Sequence, residues 1–96
     1  MTIFVSYAAR DNDFSSLKTI EREIAVLGQP YVDDLQPHEE GSRLADVANA
    51  LRTADFFVAV LSPNYLKTFW TCMELAVASR RGIPLLVRMP DGRVWS

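Results

Sequence analysis

Between Leu61 and Leu75 the chain reads LSPNYLKTFWTCMEL, and this stretch gathers Ser62, Asn64, Tyr65, Thr68, Trp70 and Glu74. It begins where a strongly apolar run ends and continues at helical spacing. Trp70 and Glu74 are four residues apart, which on a helix places them about 40° apart around the axis. Phe69, Met73 and Val77 extend an apolar stripe beside Trp70, so Glu74 is expected at the margin of that stripe, partly desolvated. Losing water strengthens a carboxylate's electrostatic interactions and makes its proton harder to remove. A single carboxylate at a strand-to-helix junction is therefore a candidate site.

The elements that must position it follow from the pattern of apolar residues. Thr2–Tyr7 (TIFVSY) and Asp55–Leu61 (DFFVAVL) read as strands buried on both faces. Tyr31-Val32-Asp33 reads as a short strand, and Ile83–Met89 as a fourth with Pro84 at its start. Between them lie three helical patterns. In the first, Asp11 or Asp13 is the cap, Phe14, Leu17, Ile20, Ile24 and Leu27 form the inner stripe, and Gly28 is the left-handed stop. The second starts at Ser42, with Leu44, Val47, Ala48 and Leu51 inward. The third is capped by Thr68 and ends in Arg80-Arg81-Gly82. The sum, β-α-β-α-β-α-β, predicts an α/β fold: a flavodoxin-like parallel sheet of order 2-1-3-4 with helices on both faces. Pro90-Asp91-Gly92 is a turn signal. Arg93-Val94-Trp95 is expected to fold back on Ile83–Met89 as a hairpin; the other reading is a fragment with a disordered end at Trp95.

Composition narrows the function classes. The 96 residues, 49% hydrophobic and 23% charged, suit one globular domain over 1–96. A net charge of -2 gives no reason to expect a nucleic-acid partner. One cysteine excludes an intrachain disulfide and, with one histidine, cannot build a zinc site. The longest apolar run, Phe56–Leu61, is far short of the roughly 20 residues of a membrane span, and no secretory signal is visible. A cytoplasmic protein with no membrane partner is the expectation.

In open α/β sheets, ligands sit beyond the carboxyl ends of the strands where strand order reverses. For order 2-1-3-4 that crevice lies between strands 1 and 3. It gathers Ser6, Tyr7 and Arg10 from the first, Ser62 and Asn64 from the third, and Glu74 from the helix that follows. The loop Leu35, Gln36, Pro37, His38, Glu39, Glu40, Gly41 leaves the second strand on the same side and is placed to act as a lid.

Those segments resemble a known family. Phe4-Val5-Ser6-Tyr7 followed by Asp11 is similar to the first box of TIR (Toll/interleukin-1 receptor and resistance-protein) domains. Val32-Asp33-Asp34 through Gly41 resembles their second strand and BB loop. Leu61-Ser62-Pro63-Asn64-Tyr65, then Thr68, Trp70 and Glu74-Leu75, resembles their third strand and Trp-x-x-x-Glu-Leu helix. The resemblance covers residues 2–89 and suggests a bacterial-type member, shortened at the C-terminus or part of a longer chain. Two departures stand out: Ala8-Ala9 precede Arg10, and Thr71 separates Trp70 from Cys72.

The resemblance implies one of two jobs. One branch of the family cleaves NAD between nicotinamide and ribose, in defence or effector signalling, releasing linear or cyclic ADP-ribose. In that branch Glu74 is the catalytic residue. Ser6, Tyr7, Arg10, Ser62 and Trp70 line the pocket, with Arg10 toward the pyrophosphate and Trp70 beside the nicotinamide ribose. NAD is the substrate, no cofactor or metal is required, and a homo-oligomer is the active form. The other branch is non-catalytic and associates with like domains through the Leu35–Gly41 loop. A more distant alternative is a nucleoside deoxyribosyltransferase-like enzyme.

Each residue also has a plainer reading. Ser6 and Ser62 can satisfy backbone groups at strand ends, and Arg10 can be a surface charge. His38 is expected to be solvent-exposed and unpartnered, Glu39-Glu40 a solvated loop, and Cys72 a small buried hydrophobe. Arg80-Arg81 reads as a helix cap or part of a self-association surface.

Overall fold

The computed structural model describes residues 1–96. In chain order the elements are β1 (Thr2–Ser6), α1 (Phe14–Ala25), β2 (Gln29–Tyr31), α2 (Arg43–Thr53), β3 (Phe56–Val60), α3 (Phe69–Arg81), β4 (Leu85–Arg88) and β5 (Val94–Trp95). The sheet has the order β2-β1-β3-β4-β5. The first four strands are parallel, in the order expected from the alternation of elements, and β5 returns antiparallel on β4 as the tail hairpin.

Side chains of a strand alternate between faces, and here both faces are covered. Ile3 and Val5 of β1 and Val58 and Val60 of β3 pack against Leu17, Ile20 and Ile24 of α1. Phe4, Phe57 and Ala59 point the other way, toward Val47 and Leu51 of α2 and Ala78 of α3. Phe4 stacks between Tyr31 and Phe57 at centroid distances of 5.7 and 5.8 Å. Burial of aromatic area joins three strands on that face.

Several local expectations are corrected. The second strand is Gln29–Tyr31, two residues earlier than the apolar pattern suggested. Its position is fixed by the Gln29 amide, which donates to the Met1 carbonyl at 2.9 Å. Pro30 is tolerated because β2 is an edge strand. Gly28 is not a left-handed helix stop: α1 ends at Ala25, and Val26 stays right-handed. Gly28 instead permits close approach, since a Cβ there would lie 2.9 Å from the Met1 carbonyl oxygen. The left-handed stop is Gly82 after α3, at φ 73°. Phe14, Leu27, Leu44 and Ala48, assigned to inner stripes, are exposed. Of the two candidate caps for α1, Asp13 is the one used, accepting from the Ser16 amide at 2.8 Å. The fourth strand is Leu85–Arg88, shorter at both ends than the apolar run.

Candidate active site

β1 alternates Ile3, Phe4, Val5, Ser6, so its last residue points to the α2/α3 side. Ser6 is buried there, and its hydroxyl donates to Glu74 Oε1 at 2.8 Å. It accepts from the Tyr65 hydroxyl, also at 2.8 Å. Tyr65 sits in a 3-10 turn, Tyr65–Lys67, between β3 and α3, and is itself buried. Three elements thus meet in one chain of donors: Tyr65 to Ser6 to Glu74.

The orientation of α3 differs from the expectation. Its buried residues are Thr71, Glu74 and Ala78, while Phe69 is 72% exposed and Trp70 41%. Periodicity placed the apolar stripe inward and Glu74 at its margin. The reverse holds because two polar side chains are satisfied inside. The Thr71 hydroxyl points at the backbone oxygens of Tyr65 and Thr68, and Glu74 is held by Ser6. A buried hydroxyl with its partner made costs little, and the Ser6 bond offsets part of the desolvation of Glu74, so both can take the inner face. Thr68 does not cap α3; its hydroxyl donates back to the Asn64 carbonyl at 2.8 Å. Cys72, expected to be buried, is exposed.

Glu74 and Trp70 form one wall of a cavity of about 570 Å³. Tyr7 stands at the end of β1, and Asp33, Asp34 and Arg43 line the far side. The Tyr7 hydroxyl donates to Asp34 Oδ2 at 2.7 Å and accepts from the Asp34 amide at 2.8 Å. Arg43 pairs with both Asp33 and Asp34. Burial pushes the Glu74 carboxyl up to about 7; the Ser6 hydrogen bond opposes that, nearby Asp33 adds to it, and the Trp70 indole again opposes it. Burial and the Asp34 carboxylate raise the Tyr7 phenol, keeping it a donor. Asp34 stays low: burial pulls it up, but Tyr7 and Arg43 outweigh that.

Of the residues singled out from sequence, Glu74, Trp70 and Tyr7 line this cavity. Ser6 stands behind Glu74. Ser62 is turned to Asp11, donating to its carboxylate at 2.6 Å, and the Asn64 amide and side chain donate to the same group at 2.7 Å each. These bonds hold Asp11 below its ordinary value and tie the end of β1 to the turn before α3. Arg10 is exposed in the 3-10 turn Ala9–Asp11 and does not border the cavity.

Nor do Leu35 to Gly41 line the cavity. Leu35 packs against the α1-side core. His38 is neither fully exposed nor unpartnered: Nδ1 lies 2.7 Å from Asp46 Oδ2 of α2, and Nε2 2.9 Å from Asp33 Oδ1. The Asp46 bond raises the His38 pKa. The exposure argument failed because Asp46 is eight residues away and only the fold brings it close. Ser42 donates to the Glu39 carbonyl and to Asp46 and does not cap α2. Arg81 caps α2 rather than its own helix, donating to the Leu51 and Ala54 carbonyls at 2.9 and 2.8 Å.

Tyr65, Asp33, Asp34 and Arg43 escaped the sequence-based site. Arg43 did carry a signal: a cation in the first turn of a helix opposes the macrodipole, so it needs partners elsewhere. Tyr65 carried none beyond its place in the stretch.

The sequence model of the TIR domain matches residues 3–94. No curated protein matches the chain. Among solved structures, the TIR domains of the activated Roq1 resistosome directly recognizing the pathogen effector XopQ superpose with a TM-score of 0.73 at 18% identity, covering 92% of this chain and 56% of that one. A 2-deoxyribosyltransferase from the psychrotolerant bacterium Bacillus psychrosaccharolyticus superposes with a TM-score of 0.70 at 20% identity, covering all of this chain and 77% of the other. At these identities the two likenesses establish the fold. This chain spans little more than half the length of the Roq1 chain.

Proposed function

The chain belongs to the TIR domain family, and from that premise we propose that it cleaves NAD at the bond between nicotinamide and ribose, with Glu74 as the catalytic carboxylate. One observation carries this reading: a buried carboxylate, anchored through one oxygen by Ser6, on the wall of an open cavity beside Trp70.

The chemistry suits a single carboxylate. Nicotinamide in NAD is a cationic leaving group; it takes the bonding pair from C1′ of the ribose and departs neutral, with no general acid. The ribose passes through an oxocarbenium-like state. An anion fixed next to it in a partly desolvated site stabilises the developing positive charge. Water then adds at C1′ and gives its proton to solvent, leaving ADP-ribose. Glu74 must be ionised for this, so turnover rises with pH through about 7, the value to which burial lifts its pKa. A 2-deoxyribosyltransferase used in nucleoside synthesis shares the fold, a parallel that supports sugar chemistry at this crevice by analogy of fold alone.

Nicotinamide release is the test, measured at high protein concentration so that an assembled form is sampled. Glu74→Gln keeps shape and removes charge; it is expected to lower release about 100- to 1000-fold. Release that survives the substitution eliminates the mechanism. A folded wild-type domain that releases none leaves the association module. Turnover of 2′-deoxynucleosides in place of NAD points to the transferase.

A further inference from the structure

We propose that Tyr65 is a positioning residue for Glu74, acting through Ser6: it commits the Ser6 proton to Glu74 and so holds the carboxylate at the cavity wall. The functional consequence rests on the NAD-cleavage reading; the geometry does not.

Tyr65 is 1% exposed, a large side chain wholly enclosed on the α2/α3 face. The only side-chain partner of its hydroxyl is Ser6 Oγ, at 2.8 Å. A serine hydroxyl has one proton. Because Tyr65 donates to the Ser6 oxygen, the Ser6 proton is left for Glu74 Oε1, also at 2.8 Å. Successive donors in a low-dielectric site polarise one another, so the second bond strengthens with the first. Burial pushes the Tyr65 phenol up to about 12, which keeps it a donor across neutral pH. No buried side-chain nitrogen or oxygen lacks a partner, so Ser6 has no competing buried group to serve.

The backbone fixes the phenol in turn. The Tyr65 amide donates to the Ser62 carbonyl at 3.1 Å. Ser62 and Asn64 are both held by Asp11, in the 3-10 turn that follows the strand carrying Ser6. Both ends of the relay are therefore anchored to one neighbourhood.

Other charges surround Glu74 and must be held constant in the test. Tyr7 follows β1, Asp33 and Asp34 follow β2, and Arg43 begins α2; all four line the cavity with it. Arg52 of α2 and Arg81 of α3 line the apolar groove on its other side. Cys72 of α3 acts on Tyr65. None of these is altered in the variants.

The experiment is a carbon-13 NMR titration of the Glu74 carboxyl in the wild type, Tyr65→Phe, Ser6→Ala and the double variant, followed by the pH profile of nicotinamide release. Tyr65→Phe keeps the ring and its packing. Losing one link of the relay is expected to raise the Glu74 midpoint by about half a unit, and Ser6→Ala by about one unit. In the Ser6→Ala background the Tyr65 substitution is expected to add less than half of its wild-type shift. Ser6→Thr, which retains the hydroxyl, is expected to return the midpoint toward the wild-type value; it also tests the relay from the other end should Tyr65→Phe not fold. An unmoved midpoint in Tyr65→Phe overturns the proposal, and so does an equal shift with and without the Ser6 hydroxyl. The titration needs no turnover. Shifts in a protein that releases no nicotinamide keep the relay and remove the catalytic reading; release without shifts does the opposite.

Discussion

The two faces of the sheet are built from alternate residues of the same strands, yet they are different environments. Toward α1 the buried cluster is wholly aliphatic: Ile3, Val5, Leu17, Ile20, Ile24, Val32, Val58 and Val60. Toward α2 and α3 the core includes aromatic rings and all three buried polar side chains, Ser6, Thr71 and Glu74. Val5 and Ser6 are neighbours in sequence and sit on opposite sides. The first face lowers the free energy of the fold by apolar burial alone. The second gives up part of that gain to desolvate a carboxylate. The buried anion is thus confined to one side of the sheet, and the other side carries none.

That contrast is open to experiment. The largest effect is expected on the aliphatic face, where Ile24→Ala should cost about 2–5 kcal/mol in denaturant unfolding, since Ile24 is fully buried in close-packed surroundings. Nicotinamide release per folded molecule should stay within about twofold, because Val5 alone of that cluster lines the cavity with Glu74 and Ile24 does not. A comparable loss of turnover would mean that the two faces are coupled.

Next comes the pH dependence of stability. Glu74 has its carboxyl lifted from an ordinary 4.5 to about 7 in the folded protein. Below 4.5 it is neutral folded and unfolded, and costs nothing. As pH rises toward 7 the unfolded state ionises first, so stability falls; above 7 the full cost of the buried anion is present, about 3 kcal/mol. Unfolding midpoints at pH 5 and pH 8 should differ accordingly in the wild type, and this part of the difference should vanish in Glu74→Gln. An unchanged slope would place the proton elsewhere.

The smallest effect is local. His38 is raised by its bond to Asp46, so the tie between the Leu35–Gly41 loop and α2 is complete below the ordinary histidine value and is lost as pH rises through the higher folded one. Amide exchange in the loop, corrected for its intrinsic pH dependence, should quicken over that range, and Asp46→Asn should quicken it below that range and change it little above. Exchange that ignores both would show the loop to be held by Leu35 packing alone.

How much of this was readable in the chain follows from what periodicity measures. Alternation of apolar runs gave the strands and the order 2-1-3-4, because each is decided by burial of whole elements; the tail hairpin, whose last strand is exposed, was signalled by the Pro90-Asp91-Gly92 turn. The crevice rule brought Tyr7 and Glu74 together, and Trp70 came with Glu74 through their four-residue spacing, though Arg10, Ser62, Asn64 and the Leu35–Gly41 loop do not line that cavity. The inner face of α3 was not readable. Hydrophobic spacing ranks Phe69, Trp70 and Met73 above Thr71 and Glu74, and it cannot know that Ser6, 68 positions away from Glu74, supplies a donor. His38 failed in the same way through Asp46. For Glu74 and His38 the partner lay across the fold, and the one-dimensional pattern misjudged their exposure.

Arg81 has a mechanical consequence. Its guanidinium fastens the last turn of α3 to the last carbonyls of α2, whereas at the opposite end of the same two helices the cavity lies between Arg43 and Leu44 on one side and Trp70 and Glu74 on the other. One side chain thus sets the spacing of the two helices at the end away from the cavity, and the opening in front of Glu74 lies where no such clasp joins them.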